Sequence, residues 1–161
     1  MAWHARVLVI ANVTANSPDL LAALKERADR GPIDVTLLMP ATRNGFAGRE
    51  EAQGRLDEAL EGWREAGFEP TGIVGDPDPV VALHEAWDPR AYDEVIVSTL
   101  PGQSSKWLRF DLPHRVATLT GAIVHHVIAI DMRPEAPHGP PPPREPSPMG
   151  PLGVLAWGGK R

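Results

Sequence analysis

Five strand-length apolar runs recur along the chain, and a helix-length segment fills each of the four intervals between them. This alternation constrains the fold more than any other feature. Continuous apolar runs without a polar alternate are typical of parallel strands buried on both faces. Parallel neighbours need a crossover, and an amphipathic helix is the usual one. The runs are Arg6 to Ala11 (RVLVIA), Ile33 to Met39 (IDVTLLM), Phe68 to Val74, Val95 to Ser98 and Ala122 to Ile130 (AIVHHVIAI). The third is the least apolar, which places it near a sheet edge. The order β-α-β-α-β-α-β-α-β predicts a five-stranded parallel open sheet, order 3-2-1-4-5, with helices on both faces. Its crevice lies between the C-terminal ends of the first and fourth strands, where open α/β sheets hold ligands.

The helices carry their own punctuation. Ser17-Pro18-Asp19 reads as a cap followed by a first turn, and Leu20, Leu21, Leu24 and Ala28 follow at helical spacing until Gly31. After a loop ATRNGFAG, the segment Glu50 to Ala66 puts Ala52, Leu56, Ala59, Leu60 and Trp63 on one face, and Gly67 stops it. Asp76 or Asp78 caps the third helix, in which His84 reads as a helix residue rather than a ligand. Asp111 is expected to cap the last helix, with Pro113 in its first turn and Val116, Ala117 and Leu119 inward, up to Gly121.

The chain has 161 residues, 42% of them hydrophobic, which is enough for one domain with a packed core. A net charge of −5 gives no general case for nucleic-acid binding. Cysteine is absent, so disulfides, thiolate chemistry and cysteine metal sites are excluded. The run Val7 to Ala11 is too short for a signal peptide or a membrane span, and a cytoplasmic protein is expected. Half of the 18 prolines fall between Pro134 and Pro151, which favours polyproline II or disorder. The α/β domain is therefore expected to cover residues 1–132, with a proline-rich tail at 133–161. That tail is read either as disordered or as an arm docking Leu152, Leu155 and Trp157 on this or a partner subunit.

Common catalytic signatures are missing. There is no GxxxxGK[ST] loop, no GxGxxG after the first strand and no GxSxG elbow. His125 and His126 adjoin on a strand, so they point to opposite faces and cannot share an ion. Ser98 or Ser104 with His114 lacks a third partner. The chemistry-bearing stretch is instead Tyr92 to Arg115, a strand leading through a polar, basic loop into a helix. Ser98, Thr99, Gln103, Ser104, Ser105, Lys106 and Arg109 are donors there, and Gly102 permits a turn after Pro101. Lys106 or Arg109 can meet an anion. A solvated loop with Arg109 paired to Asp111 reads from the same residues.

Three stretches in this order resemble the universal stress protein family. They are VLVIAN, GDPDPVVALHEAWDPRAYDEVIVST and HRVATLTGAIVHHVIAI, together spanning roughly Arg6 to Ile130. The resemblance implies an adenine nucleotide α-hydrolase-like fold and a homodimer through the strand Ala122 to Ile130, whose long apolar edge needs cover. It also implies that Asn12 and Met39 sit where the family frames adenine. The family's glycine signature, counted without gaps, falls on Val97, Leu100, Phe110 and Asp111, none of them glycine or a hydroxyl residue. Leu100 and Phe110 would fill the space that glycines leave for phosphate. Asp111 would repel phosphate by an amount on the order of 1 to 4 kcal/mol. The reading is a non-catalytic binding or regulatory protein with a degenerate adenine-nucleotide site, open to ATP, AMP, another small anion or nothing. Its candidate ligand residues are Asn12, Met39, Ser98, Thr99, Gly102, Ser104, Ser105, Lys106 and Arg109. No metal, nucleic acid or membrane partner is expected. Two alternatives stand beside it: a nucleotide-hydrolysing or phosphotransfer enzyme using residues 98–115, and a partner-binding module with a proline-rich adaptor tail.

Overall fold

A computed structural model describes residues 3–130, apart from the side chain of Gln103. The proline-rich tail, with Leu152, Leu155 and Trp157, lies outside the described residues. Five strands, β1 (Ala5–Ile10), β2 (Ile33–Pro40), β3 (Thr71–Gly75), β4 (Glu94–Thr99) and β5 (Ile123–Ile128), form one sheet in the order β3-β2-β1-β4-β5. Every pairing is parallel, with Val7 opposite both Val35 and Glu94, and Val95 opposite Val124. This is the expected topology, with its strand-order reversal between β1 and β4.

Alternation along the strands sends successive side chains to two separate cores. Val7, Val9, Leu37 and Met39 pack against α1 (Pro18–Asp29) and α2 (Gly45–Glu65). Leu8, Ile10, Leu38, Val95 and Val97 pack against α3 (Pro79–Ala86) and α5 (Leu112–Thr120). Both faces of the central strands are covered over most of their length, which is why VLVI of β1 and VIV of β4 show no polar alternate. The two edge strands differ from them: Ile123, Ile128 and the adjoining Ile130 are exposed on the β5 side. Gly75 lets α3 approach closely, because a Cβ there would lie 2.7 Å from that of Ala82. Among the described residues no helix is long and apolar enough to cross a membrane.

Most of the predicted punctuation holds. Ser17 Oγ accepts the Leu20 amide at 3.1 Å, and Asp78 caps α3 by accepting from Val80 at 2.8 Å. Asp76 accepts from the Asp78 amide, a turn role. Leu20 and Leu24 of α1, and all five apolar-face residues of α2, are buried.

The differences are local. α2 begins at Gly45, so the end of the expected loop is already helical, entered without a side-chain cap. β3 begins at Thr71 rather than Phe68, because Gly67 at φ 98° turns the chain and the Phe68 amide closes α2 on the Trp63 carbonyl at 3.0 Å. The loop after β4 holds a 3₁₀ turn (Gly102–Ser104) and a one-turn helix α4 (Lys106–Arg109). In α5 the buried residues are Leu112 and Val116, whereas Leu119 is exposed. His84 stands exposed on α3.

Asp111 corrects the sequence reading most. It occupies the cap position of α5 but makes no side-chain cap hydrogen bond. Its backbone is left-handed, φ 50° and ψ 49°, rather than the extended conformation of a capping residue. Only its carbonyl joins the helix, accepting the Arg115 amide at 3.1 Å. Among the described residues it is the one non-glycine with positive φ, a conformation that costs an L-residue roughly 1 to 2 kcal/mol.

Candidate functional site

At the C-terminal ends of β1 and β4, where the strand order reverses, the chain leaves a crevice of about 360 Å³. Five stretches of chain wall it. Asn12, Val13 and Thr14 follow β1, Thr42 follows β2, Arg55 reaches in from α2, and Ser98 to Leu100 and Ser104 to Trp107 come from the end of β4 and α4.

Asn12 is the hinge of this arrangement. Its amide nitrogen donates to the Pro40 carbonyl at 2.9 Å, tying β1 to β2, and its Oδ1 accepts from the Arg55 guanidinium. The same guanidinium meets Glu51 one turn earlier at 2.9 Å. A neutral amide partner leaves Glu51 as the one carboxylate balancing the Arg55 charge among the described residues, with the guanidinium largely covered at the crevice wall. Thr14, itself buried, donates to the Ser98 carbonyl at 3.2 Å and so ties the loop after β1 to β4.

Ser98 is completely buried, and its Oγ has no hydrogen-bond partner among the described residues. A hydroxyl buried without a partner costs about 1 to 3 kcal/mol, and native structures rarely keep one without a reason. Ser98 belongs to the crevice wall.

Two other hydroxyls are already engaged. Thr99 Oγ1 lies 2.8 Å from His126 Nε2, and Ser105 Oγ caps α4 by accepting the Leu108 amide at 3.2 Å. Partial burial pushes the His126 imidazolium down from its ordinary value, towards the neutral ring that can accept from Thr99. His125 turns to the opposite face and meets Glu94 at 3.2 Å, so the two rings diverge as strand geometry requires. Lys106 is exposed on the rim, and no ion pair involves it among the described residues.

Of the residues expected from the sequence, Asn12, Ser98, Thr99, Ser104, Ser105 and Lys106 come together around the crevice. Gly102, with φ 51°, and the exposed Arg109 lie outside its lining. Met39 is fully buried in the core beneath α1 and α2 and does not line the crevice either, because its position in β2 alternates inward. Leu100 does border the crevice, as its place in the sequence suggested. Phe110 does not: it is 66% exposed and faces a different cavity. Asp111 is likewise absent from the lining, so the expected charge repulsion has no geometric basis. Sequence reasoning missed Thr14, Thr42, Arg55 and Trp107. Thr14 carried a usable signal, a hydroxyl just past the first buried strand. Arg55 carried none, since it reads as one of many charges flanking the apolar face of α2.

The geometry defines a class first: an open parallel α/β protein with a cationic, hydroxyl-lined crevice at its topological switch point. The chain matches no family model and no curated protein. Solved structures place its fold among the universal stress proteins. One, from Archaeoglobus fulgidus in complex with dAMP, superposes with a TM-score of 0.58 at 15% identity, over 79% of this chain and 99% of that one. A universal stress protein in complex with cAMP gives 0.55 at 18% identity, over 79% and 99%. A further structure from Archaeoglobus fulgidus gives 0.57 at 13%, over 77% and 93%. At such identities the likeness is one of fold.

Proposed function

We propose that this chain is a divergent binding protein of the universal stress type, whose crevice takes a small organic anion, with an adenine mononucleotide as the first candidate. The observation that carries the proposal is the lining itself. Among the described residues it holds two cations, Arg55, which is paired with Glu51, and the unpaired Lys106, and no carboxylate, in a chain whose net charge is −5. Such a local reversal of sign favours an anion. The volume, about 360 Å³, falls in the range of small-molecule sites. Ser98 and Ser104 supply hydroxyls suited to a sugar or phosphate, whereas those of Thr14 and Thr42 donate to the Ser98 carbonyl and to Glu51. The dAMP and cAMP named for two of the similar structures are consistent with this class of ligand.

A binding role is favoured over catalysis because, among the described residues, the lining contains neither imidazole nor carboxylate. Proton transfer needs such a group within hydrogen-bond reach of the reacting atom. The glycine signature for phosphate is lost, so the anion is held by side chains rather than by a loop of backbone amides. We further propose that two copies associate through the β5 edge, where Ile123 and Ile130 are 68% and 67% exposed.

Titration calorimetry with AMP, ADP, ATP and inorganic phosphate tests the ligand proposal. Binding by at least one nucleotide, weakened in Arg55→Ala and Lys106→Ala, is the expected outcome. If none of the four binds or raises the melting temperature at millimolar concentration, the proposal fails.

A further inference from the structure

A second cavity of about 420 Å³ lies on the other side of α4, towards α3 and α5. Lys106 and Trp107 belong to both, so the single turn of α4 forms a wall between them. Its chemistry differs from that of the crevice. Arg43, Lys106 and Arg115 bring three positive charges to it. Against them, among the described residues, stands one carboxylate, Asp78, which is engaged at the positive end of α3, where it accepts from the Val80 and Val81 amides.

The rest of the lining is apolar. Pro77, Pro79, Val80 and Leu112 carry no polar side-chain atom, and Trp107 and Phe110 add aromatic surface. Among the described residues no hydroxyl or amide side chain faces this space. Sugars and base edges need such partners, because their own polar groups are otherwise left unpaired on burial. A ligand here is therefore recognised by charge and by flat apolar surface.

Phe110 is 66% exposed, and it adjoins the strained Asp111. The left-handed turn at Asp111 separates Phe110, held at the cavity, from the buried Leu112 that anchors α5 in the core. Backbone strain at a non-glycine residue clusters at ligand clamps and switch regions. An aromatic side chain kept outside the core beside three cations has the same character.

We propose that this second cavity binds an aromatic carboxylate, its ring against Trp107 and Phe110 and its anion met by Arg43, Lys106 and Arg115. The inference does not depend on nucleotide binding in the crevice. Because Lys106 borders both spaces, an occupant of one draws on a charge available to the other.

The test is a titration of the full-length chain with 2-naphthoate, followed by calorimetry and by amide NMR shifts. Saturable binding is expected, with shifts centred on Arg43, Val80, Phe110 and Arg115. Phe110→Ala and Arg115→Glu, both at exposed positions, should each weaken it about tenfold or more. Neutral 2-naphthalenemethanol should bind at least about tenfold less tightly. Ser98→Ala, in the crevice wall, should leave naphthoate affinity unchanged. Shifts centred on Thr14 and Ser98, undiminished affinity in Arg115→Glu, equal binding of the alcohol, or no saturable binding would each overturn the assignment.

Discussion

Replacing Ser98 by alanine should move stability and ligand affinity in opposite directions. Ser98 lies on β4 at 0% exposure, and its hydroxyl finds no partner among the described residues. Its backbone carbonyl, which accepts from Thr14, is untouched by the substitution. Burying an unpaired hydroxyl costs about 1 to 3 kcal/mol, and alanine removes that cost while giving up a single buried atom. The net expectation is a gain of about 1 kcal/mol in the unliganded protein. For a domain of this size that raises the melting temperature by about 3 to 5 °C. A nucleotide in the crevice would lose one hydrogen bond of about 1 to 1.5 kcal/mol, or roughly tenfold in affinity. Thermal denaturation followed by circular dichroism gives the first quantity, and calorimetry with AMP the second. A variant less stable than wild type by more than about 1 kcal/mol would refute the reasoning, because the hydroxyl would then be holding the fold together. Unchanged AMP affinity would show that the oxygen does not meet the ligand.

Two further outcomes follow from features away from the crevice. The side-chain bond from Arg6, assisted by the Arg6 amide, holds the Asp93 carboxyl below its ordinary value. A depressed carboxylate contributes stability that is complete above about pH 4 and is lost as pH falls through the folded-state value. The stability difference between wild type and Asp93→Asn in urea should therefore be constant near neutrality and vanish in acid, and a difference that persists there would contradict the linkage. Ile123→Arg combined with Ile128→Arg should convert a β5-edge dimer to monomer in sedimentation velocity, and a wild-type chain that is monomeric throughout would dispose of that interface.

Much of the architecture was legible because it depends on short-range periodicity. Strand segments buried on both faces must be apolar, and the VLVIA of the first run and the LLM of the second announce this directly. Ser17 and Asp78 act within three residues of themselves, so their roles as caps could be read locally. The weaker third run was rightly placed at an edge. The site was legible only in part. Ser98 and Lys106 follow from their position after β4, but Met39 was assigned to the crevice because a strand end looks the same whichever way its side chain alternates.

The sequence by itself determined the order and kind of the elements, and through the right-handed crossover rule it restricted how they could be arranged. Only the tertiary structure decided which side chains share a space. Arg55 meets Asn12 across 43 residues of chain, and no local pattern records that contact. The turn at Asp111 is left-handed, so the carboxylate caps nothing and Phe110 faces the second cavity instead of the crevice. Helical and strand periodicity carries no information on the dihedral angles of single loop residues, which are set by the packing of the elements on either side. In this chain those angles separate one loop into the walls of two cavities with different chemistry.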